Sequence, residues 1–186
     1  MSKKITEEEV VLRCQKADPL AQKYLYEKYA GKFLGICKRY FANLHEAEDV
    51  MVMSFVKIFE KIIQFRGEGS FEGWMKRLVV NECLTQIRKK QILFVDAETQ
   101  HNLADNLETA EEILNAEDLL ACVQRLPDGY RTVFNLYAIE GYSHQEIADM
   151  LGISEGTSKS QLSRARNLLQ TYVNELLGTD SVSMTN

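Results

Sequence analysis

YSHQEIADMLGISEGTSKSQLSRARNLL, residues 142–169, predicts a helix, a tight turn and a second helix. Gly141 suits the end of the preceding helix, because glycine tolerates the left-handed conformation found there. Ser143 can cap the next helix, with Glu146 three residues on to complete a capping box and Tyr142 placed to staple onto Ile147. Ile147, Ala148 and Leu151 fall on one face at helical spacing. Gly152 supplies the turn, Ile153 an apolar plug, and Ser154 a second cap. In the second helix Ser158, Leu162, Ala165 and Leu169 share one side. Lys159, Ser160, Ser163, Arg164 and Asn167 are left facing outward. This is the layout of a helix-turn-helix whose second helix enters the major groove. An ordinary helical hairpin with a solvated face is the plainer alternative. The small Ala148, the Gly152 turn and the absence of acids from 156 to 174 favour DNA.

Working outward, the residues before this pair complete a small domain. Helices are expected from Ala116 to about Leu126 and from Pro127 to Gly141, the second carrying Tyr130, Val133, Phe134, Leu136 and Tyr137. A four-helix domain over 117–178 follows, with a frayed tail at 179–186. Upstream, residues 96–118 hold 8 acids and no Lys or Arg. The span 92–116 therefore reads as an acidic linker. Residues 1–95 hold 17 basic and 12 acidic residues, so the overall net charge of −5 conceals a basic N-terminal part.

The N-terminal part, 1–91, reads as a helical domain. Thr6 can cap a helix over 5–17, with Glu7, Glu8 and Glu9 at its positive end. Asp18-Pro19 starts a helix running to about Asn43, with Leu20, Tyr24, Leu25, Phe33, Leu34, Cys37, Tyr40 and Phe41 as its apolar side. A third helix begins near His45 and ends near Gln64. Val50, Phe55, Ile58, Phe59 and Ile62 form its stripe, and Met51, Val52, Met53 and Val56 widen it. A helix apolar over so much of its girth is either central or covered by a partner. QFRGEGSFEGW, residues 64–74, reads as a glycine-bearing loop in which Ser70 caps the following helix. That helix turns Phe71, Trp74, Met75, Leu78, Val79, Cys83 and Ile87 inward, leaving Lys76, Arg77, Asn81, Arg88, Lys89 and Lys90 on its polar side. Basic residues among aromatics suit opened nucleic acid, where bases stack and phosphates meet cations. A core tryptophan with solvated lysines accounts for the same residues.

The fold class is therefore all-α. Hydrophobic residues make up 45% and charged residues 26%, as in a soluble globular chain. No signal peptide or membrane-length apolar run is present, so a cytoplasmic protein is expected. Cys14, Cys37, Cys83 and Cys122 lie far apart without zinc spacing and read as buried thiols. His45, His101 and His144 are scattered without ligand or nucleophile partners. No catalytic constellation, phosphate loop or dinucleotide fingerprint occurs, so neither an enzyme nor a cofactor or small-molecule substrate is expected.

AEDVMVMSFVKIFEKI, FRGEGSFEGWMKRLVVNE and LPDGYRTVFNLYAIEGYSHQEIADMLGISEGTSKSQLSRAR occur in this order. The chain thereby resembles bacterial RNA polymerase sigma factors of the extracytoplasmic-function group, over about residues 8 to 173. The resemblance implies that the helix with Asp49, Val50, Val52, Met53, Phe55, Val56 and Phe59 docks on the clamp helices of the polymerase largest subunit. It implies that Phe65, Arg66, Gly67, Ser70 and Phe71 capture a base flipped from the −10 promoter element. Lys76, Arg77, Asn81 and Arg88 would hold melted or adjoining duplex DNA. The acidic linker would thread toward the RNA exit path, its charge imitating RNA. Ser154, Thr157, Lys159, Ser160, Gln161, Ser163, Arg164 and Arg166 would read the −35 element, and an anti-sigma factor, often membrane-anchored, would hold the protein inactive. Two departures stand out. The family usually has Gln-Glu where this chain has Val52-Met53. It commonly has an aliphatic residue at Ser158 and often Arg at Lys159, and Lys lacks the planar fork of Arg. A stand-alone helix-turn-helix regulator of duplex DNA is the alternative function; it has no need of a loop for an unstacked base.

Overall fold

In a computed structural model, the structure describes residues 6–93 and 115–178. The expectations for the acidic linker and the 179–186 tail fall almost wholly outside the described residues. The chain divides into two compact units, Met1–Asp96 and Ala97–Asn186. Both are helical, with no strand among the described residues. No described helix is long and apolar enough to cross a membrane.

The first unit is built from α1 (Glu7–Gln15), α2 (Pro19–Tyr40), α3 (Leu44–Lys61) and α4 (Phe71–Leu93). The Thr6 hydroxyl accepts from the Glu9 backbone N–H at 3.2 Å, so the expected cap forms. Asp18 caps α2 by accepting from Leu20, with Pro19 at the first helical position, where its missing N–H costs nothing. The apolar side of α2 is Ala21, Leu25, Tyr29, Phe33, Ile36, Cys37 and Tyr40. This corrects the expected stripe through Leu20 and Tyr24. Leu20 is 71% exposed, because the buried stripe runs one residue, or 100°, out of phase with the pair. Asn43 does not extend α2, which ends at Tyr40. Instead its side-chain oxygen accepts from Glu46 and caps α3.

Helices α2, α3 and α4 pack on one another, with α1 against α2. Phe33 and Phe55 meet at the centre with ring centroids 5.3 Å apart. Ile58, Met75, Val79 and Cys83 close around them without exposed surface. Packing against two neighbours accounts for only part of the girth of α3. Met51 is buried, whereas Val52, Met53 and Val56 remain exposed. Phe59, Trp74 and Leu78, expected inside, are only half-buried.

The second unit contains α5 (Ala116–Arg125), α6 (Asp128–Phe134), α7 (His144–Leu151) and α8 (Glu155–Leu176). Asn115 and Asp118 form a capping box on α5 that sequence reading did not anticipate. Arg131 is buried at the α5–α6 corner and donates to the Gln124 and Leu126 carbonyls and to Asp128. Beyond Phe134 the helix widens into a π turn, Asn135–Ile139. Glu140 N–H donates to the Asn135 carbonyl at 2.9 Å, one residue further back than in an α-helix. The capping box on α7 forms as expected: the Ser143 hydroxyl accepts from Glu146 N–H while Ser143 N–H donates to the Glu146 carboxylate. The Ser143 hydroxyl also donates to that carboxylate at 2.8 Å, and the two Ser143 donors, backbone first and hydroxyl second, hold the Glu146 carboxyl below its ordinary pKa. Helix α8 is the strut on which α5, α6 and α7 pack.

Gly152 sits at φ +68°, the left-handed geometry that ends α7. A Cβ there would meet nothing within 4 Å, so a substitution strains the backbone alone. We expect Gly152→Val to lower the stability of this unit by about 1–2 kcal/mol. Gly152→Asn should cost less, since asparagine tolerates this region. Thermal unfolding of the two variants checks this; equal losses would mean that the cost is not the backbone's.

Candidate nucleic-acid interface

In the second unit the burial of Ser158, Leu162 and Ala165 fixes which side of α8 is left outward. Ser160, Ser163, Arg164 and Asn167 centre the exposed face, with Lys159 and Arg166 along one flank. Thr157 and Gln161 lie on the other flank, half-buried. The Gln161 amide packs beside Gly129, 3.6 Å from where a Cβ would stand, so Gln161 occupies the rim of the face. Ser154 caps α8, accepting from Thr157 N–H at 3.0 Å and sharing a 2.8 Å hydrogen bond with its hydroxyl. The Ser160 hydroxyl donates to the Thr157 carbonyl. Each cation on this face has a partner within the chain. Lys159 pairs with Glu155 at 2.6 Å, an exposed i,i+4 contact of small stabilising value. Arg164 donates to the Tyr130 hydroxyl at 3.2 Å. The Arg166 guanidinium lies 5.8 Å from the Tyr137 ring centroid.

In the first unit the loop between α3 and α4 starts after a 3₁₀ turn, Ile62–Gln64. Phe65, Phe71 and Trp74 form a ring cluster at its base, with centroids 5.0–5.8 Å apart. Phe71 is a core residue, 1% exposed, so it supports the loop from below instead of presenting a ring to a ligand. Arg66, Gly67, Glu68, Gly69 and Ser70 are exposed. Gly67 and Gly69 take φ of +77° and +83°, which side chains resist. Ser70 accepts from Gly73 N–H and starts α4.

Gln15 was not singled out by sequence. Its Nε2 donates to the carbonyls of Ile62 at 3.1 Å and Phe65 at 3.4 Å, tying α1 to the root of the loop. The bond spans 47 residues, so no local pattern announces it. Between α1 and the loop runs a groove of about 480 Å³, with Glu7, Glu8 and Leu12 on one wall and Phe65, Arg66 and Gly69 on the other.

On α4, Arg77, Asn81 and Arg88 share one exposed face at helical spacing. Lys76 lies a quarter turn away and is bound to Glu72 at 3.1 Å. Lys32 also reaches Glu72, and these two ammonium groups, Lys76 first, keep its carboxyl below the ordinary range. On α3, Asp49, Val52, Met53 and Val56 form one exposed face, the three apolar residues 43–47% exposed. Val50 and Phe55 are buried, at 4% and 3%. They hold α3 in the unit and do not themselves face a partner.

An all-helical unit with a loop-and-basic-helix surface, followed by a helix-turn-helix unit, describes a transcription initiation factor. Residues 25–92 match sigma-70 region 2, and residues 116–169 match sigma-70 region 4. Together these matches cover more than half of the chain, and the chain belongs to the sigma-70 family. A sigma factor directs RNA polymerase to promoters, which is the function these two regions define. More particularly, it is a factor of the extracytoplasmic-function group. It is 28% identical to the ECF RNA polymerase sigma-E factor of Haemophilus influenzae, over 95% of this chain and 100% of that one. It is 29% identical to the RNA polymerase sigma-H factor of Pseudomonas aeruginosa, over 92% of this chain and 95% of that one. Its fold resembles the sigma factor RpoE of Bartonella quintana, solved in complex with the anti-sigma factor NepR. The TM-score is 0.53 at 24% identity, over 85% of this chain and 97% of that one.

Replacing Gln15 by leucine should leave the Ile62 and Phe65 carbonyls without this donor, at a cost of about 1 kcal/mol. We expect trypsin to cleave after Arg66 faster in Gln15→Leu than in the parent chain. An unchanged cleavage rate would assign the loop's order to the aromatic cluster alone.

Proposed function

We propose that the chain divides promoter recognition between its two units, with residue roles as follows. Residues 1–91 bind core polymerase and the −10 element, 117–178 bind the −35 element, and the acidic 92–116 span joins them near the RNA exit path. The 179–186 tail has no assigned role. The protein acts by binding alone, without catalysis of its own, in the cytoplasm. The observation that carries this reading is the pairing, in one chain, of a left-handed glycine loop over an aromatic base with an outward polar face on α8. A regulator of duplex DNA alone has no use for the first.

On α8, Ser160, Ser163 and Arg164 meet the bases, with Lys159 and Arg166 on flanking phosphates and Ser154 and Thr157 near the helix N-terminus. Gln161 serves at the rim. Arg offers donors to guanine acceptors, and serine both donates and accepts. Lys159 first releases Glu155, a weak exposed pair that a phosphate outcompetes. In the first unit Phe65, Arg66, Gly67 and Ser70 shape the pocket for an unstacked base, with Phe71 beneath them. Arg77, Asn81 and Arg88 hold the DNA strand, joined by Lys76 when Glu72 yields it.

The polymerase clamp helices meet Asp49, Val52, Met53 and Val56, with Phe59 at the edge and Val50 and Phe55 as internal supports. The contact is more apolar than the family's usual Gln-Glu pair makes it. The same exposed patch offers an anti-sigma factor a surface, through Met53 and not through the buried Met51.

Capture of bacterial core polymerase by the full chain, followed by transcription from a promoter library, tests the reading as a whole. Absence of both capture and promoter-dependent transcripts would sink it. Lys159→Ala and Arg164→Ala should each weaken binding to the upstream element. The loss is about 1–3 kcal/mol for a base contact, or a salt slope smaller by about one for a phosphate contact. Unchanged binding in both would mean the reading face is misplaced. Val52→Gln with Met53→Glu should leave polymerase affinity equal or tighter. Clearly weaker capture would make the apolar pair itself the contact.

A further inference from the structure

Ser158 stands where the family commonly has an aliphatic residue, and the structure gives it a specific task. It is 0% exposed, in the second turn of α8, flanked by Thr157 and Lys159. Its Oγ lies 2.9 Å from Nδ1 of His144, the first residue of α7. The His144 ring stacks on Tyr137, with centroids 4.4 Å apart and planes 22° apart. Tyr137 belongs to the π turn, and the same ring carries the Arg166 guanidinium. One contact chain thus runs from the π turn through α7 into α8 and ends beside a cation of the outward face.

We propose that Tyr137, His144 and Ser158 form a positioning device that fixes the rotation of α8 about its own axis. An aliphatic side chain would fill the same space and pack, but it would lack the directional bond to α7 that sharpens the angle packing alone sets. A hydrogen bond weakens steeply as its angle departs from linear. Successive residues of a helix point 100° apart, so a small rotation at Ser158 moves Lys159, Ser160 and Ser163 across the groove they face. The hydroxyl donates to the ring when the histidine proton sits on Nε2, and accepts from it when Nδ1 carries a proton, so the link holds in either form. Stacking on Tyr137 fixes the ring plane, which aims Nδ1 at the hydroxyl. Without His144 the hydroxyl would turn to a carbonyl of its own preceding turn, as helical serines do, and the tie between α7 and α8 would be lost. Tyr137, His144 and Ser158 are positioning residues for base discrimination, and they touch no base. The inference rests on the reading of α8 as the −35 helix.

The test uses core polymerase reconstituted with the full chain, transcribing a library randomised across the upstream element. His144→Phe keeps the stack on Tyr137 and removes Nδ1, and Ser158→Ala removes the hydroxyl. Ser158→Val removes it while keeping the site filled, should the alanine variant fail to fold. Each single change should flatten base preference about 5-fold at the same upstream positions, and the double change no further, since both break one interaction. Melting temperature is measured alongside. Additive flattening in the double variant would overturn the proposal. So would unchanged preferences in the single variants, whether output holds or falls uniformly with a lower melting temperature. A parent chain with no upstream preference would overturn the −35 reading itself, whereas a parent preference that the variants retain overturns only this inference.

Discussion

Ser158, Leu162 and Ala165 are buried against the rest of the second unit, and the outward face of α8 is whatever that burial leaves over. The buried side is narrow and its residues are small or medium in size. A narrow, shallow seam leaves most of the helix circumference free. It also brings the helix close to its neighbours, so that a single hydrogen bond to α7 bears on its orientation. The outward face of α8 is thus set from behind, by contacts on its buried side. The same holds in the first unit, where Phe71, Val50 and Phe55 lie under the surfaces they support.

Charge works by placement. The chain is acidic overall, yet α4 and α8 carry cations along their outer sides, as α2 does with Lys23, Lys28 and Lys32. Several of them are held by a carboxylate: Lys76 by Glu72, Lys159 by Glu155, Lys90 by Glu46. These exposed pairs stabilise the fold little. On the proposed DNA-binding role, a phosphate would have to displace the carboxylate to reach Lys76 or Lys159. Arg77 and Arg88 stand on the open face of α4 without such a carboxylate among the ion pairs described.

Much of this was legible in the chain itself. Thr6, Ser143, Ser154 and Ser70 cap the helices they were expected to cap, and Gly152 ends α7 in the left-handed region. Capping and turn chemistry act within four residues, so the sequence holds everything they need. The phase of α2 was not legible, because Leu20 and Tyr24 repeat at the same spacing as Ala21 and Leu25. Asn43 looked like the end of one helix and is the cap of the next, since both positions ask for a short polar side chain. The π turn has no local signature that the sequence reading used.

What the amino-acid order determined by itself is the set of helices, the glycine turns and the family, each encoded in spacing over a few residues. Tertiary structure alone decided which side of each helix is spent on the core and which long-range bonds hold the exposed loop and helix faces. Gln15 reaches the root of the 65–70 loop across 47 residues, and His144 locks onto Ser158 across a turn. The physical reason is that a hydrogen bond or a packed ring depends on where two segments meet in space, and that meeting is fixed only when all the helices have been packed together.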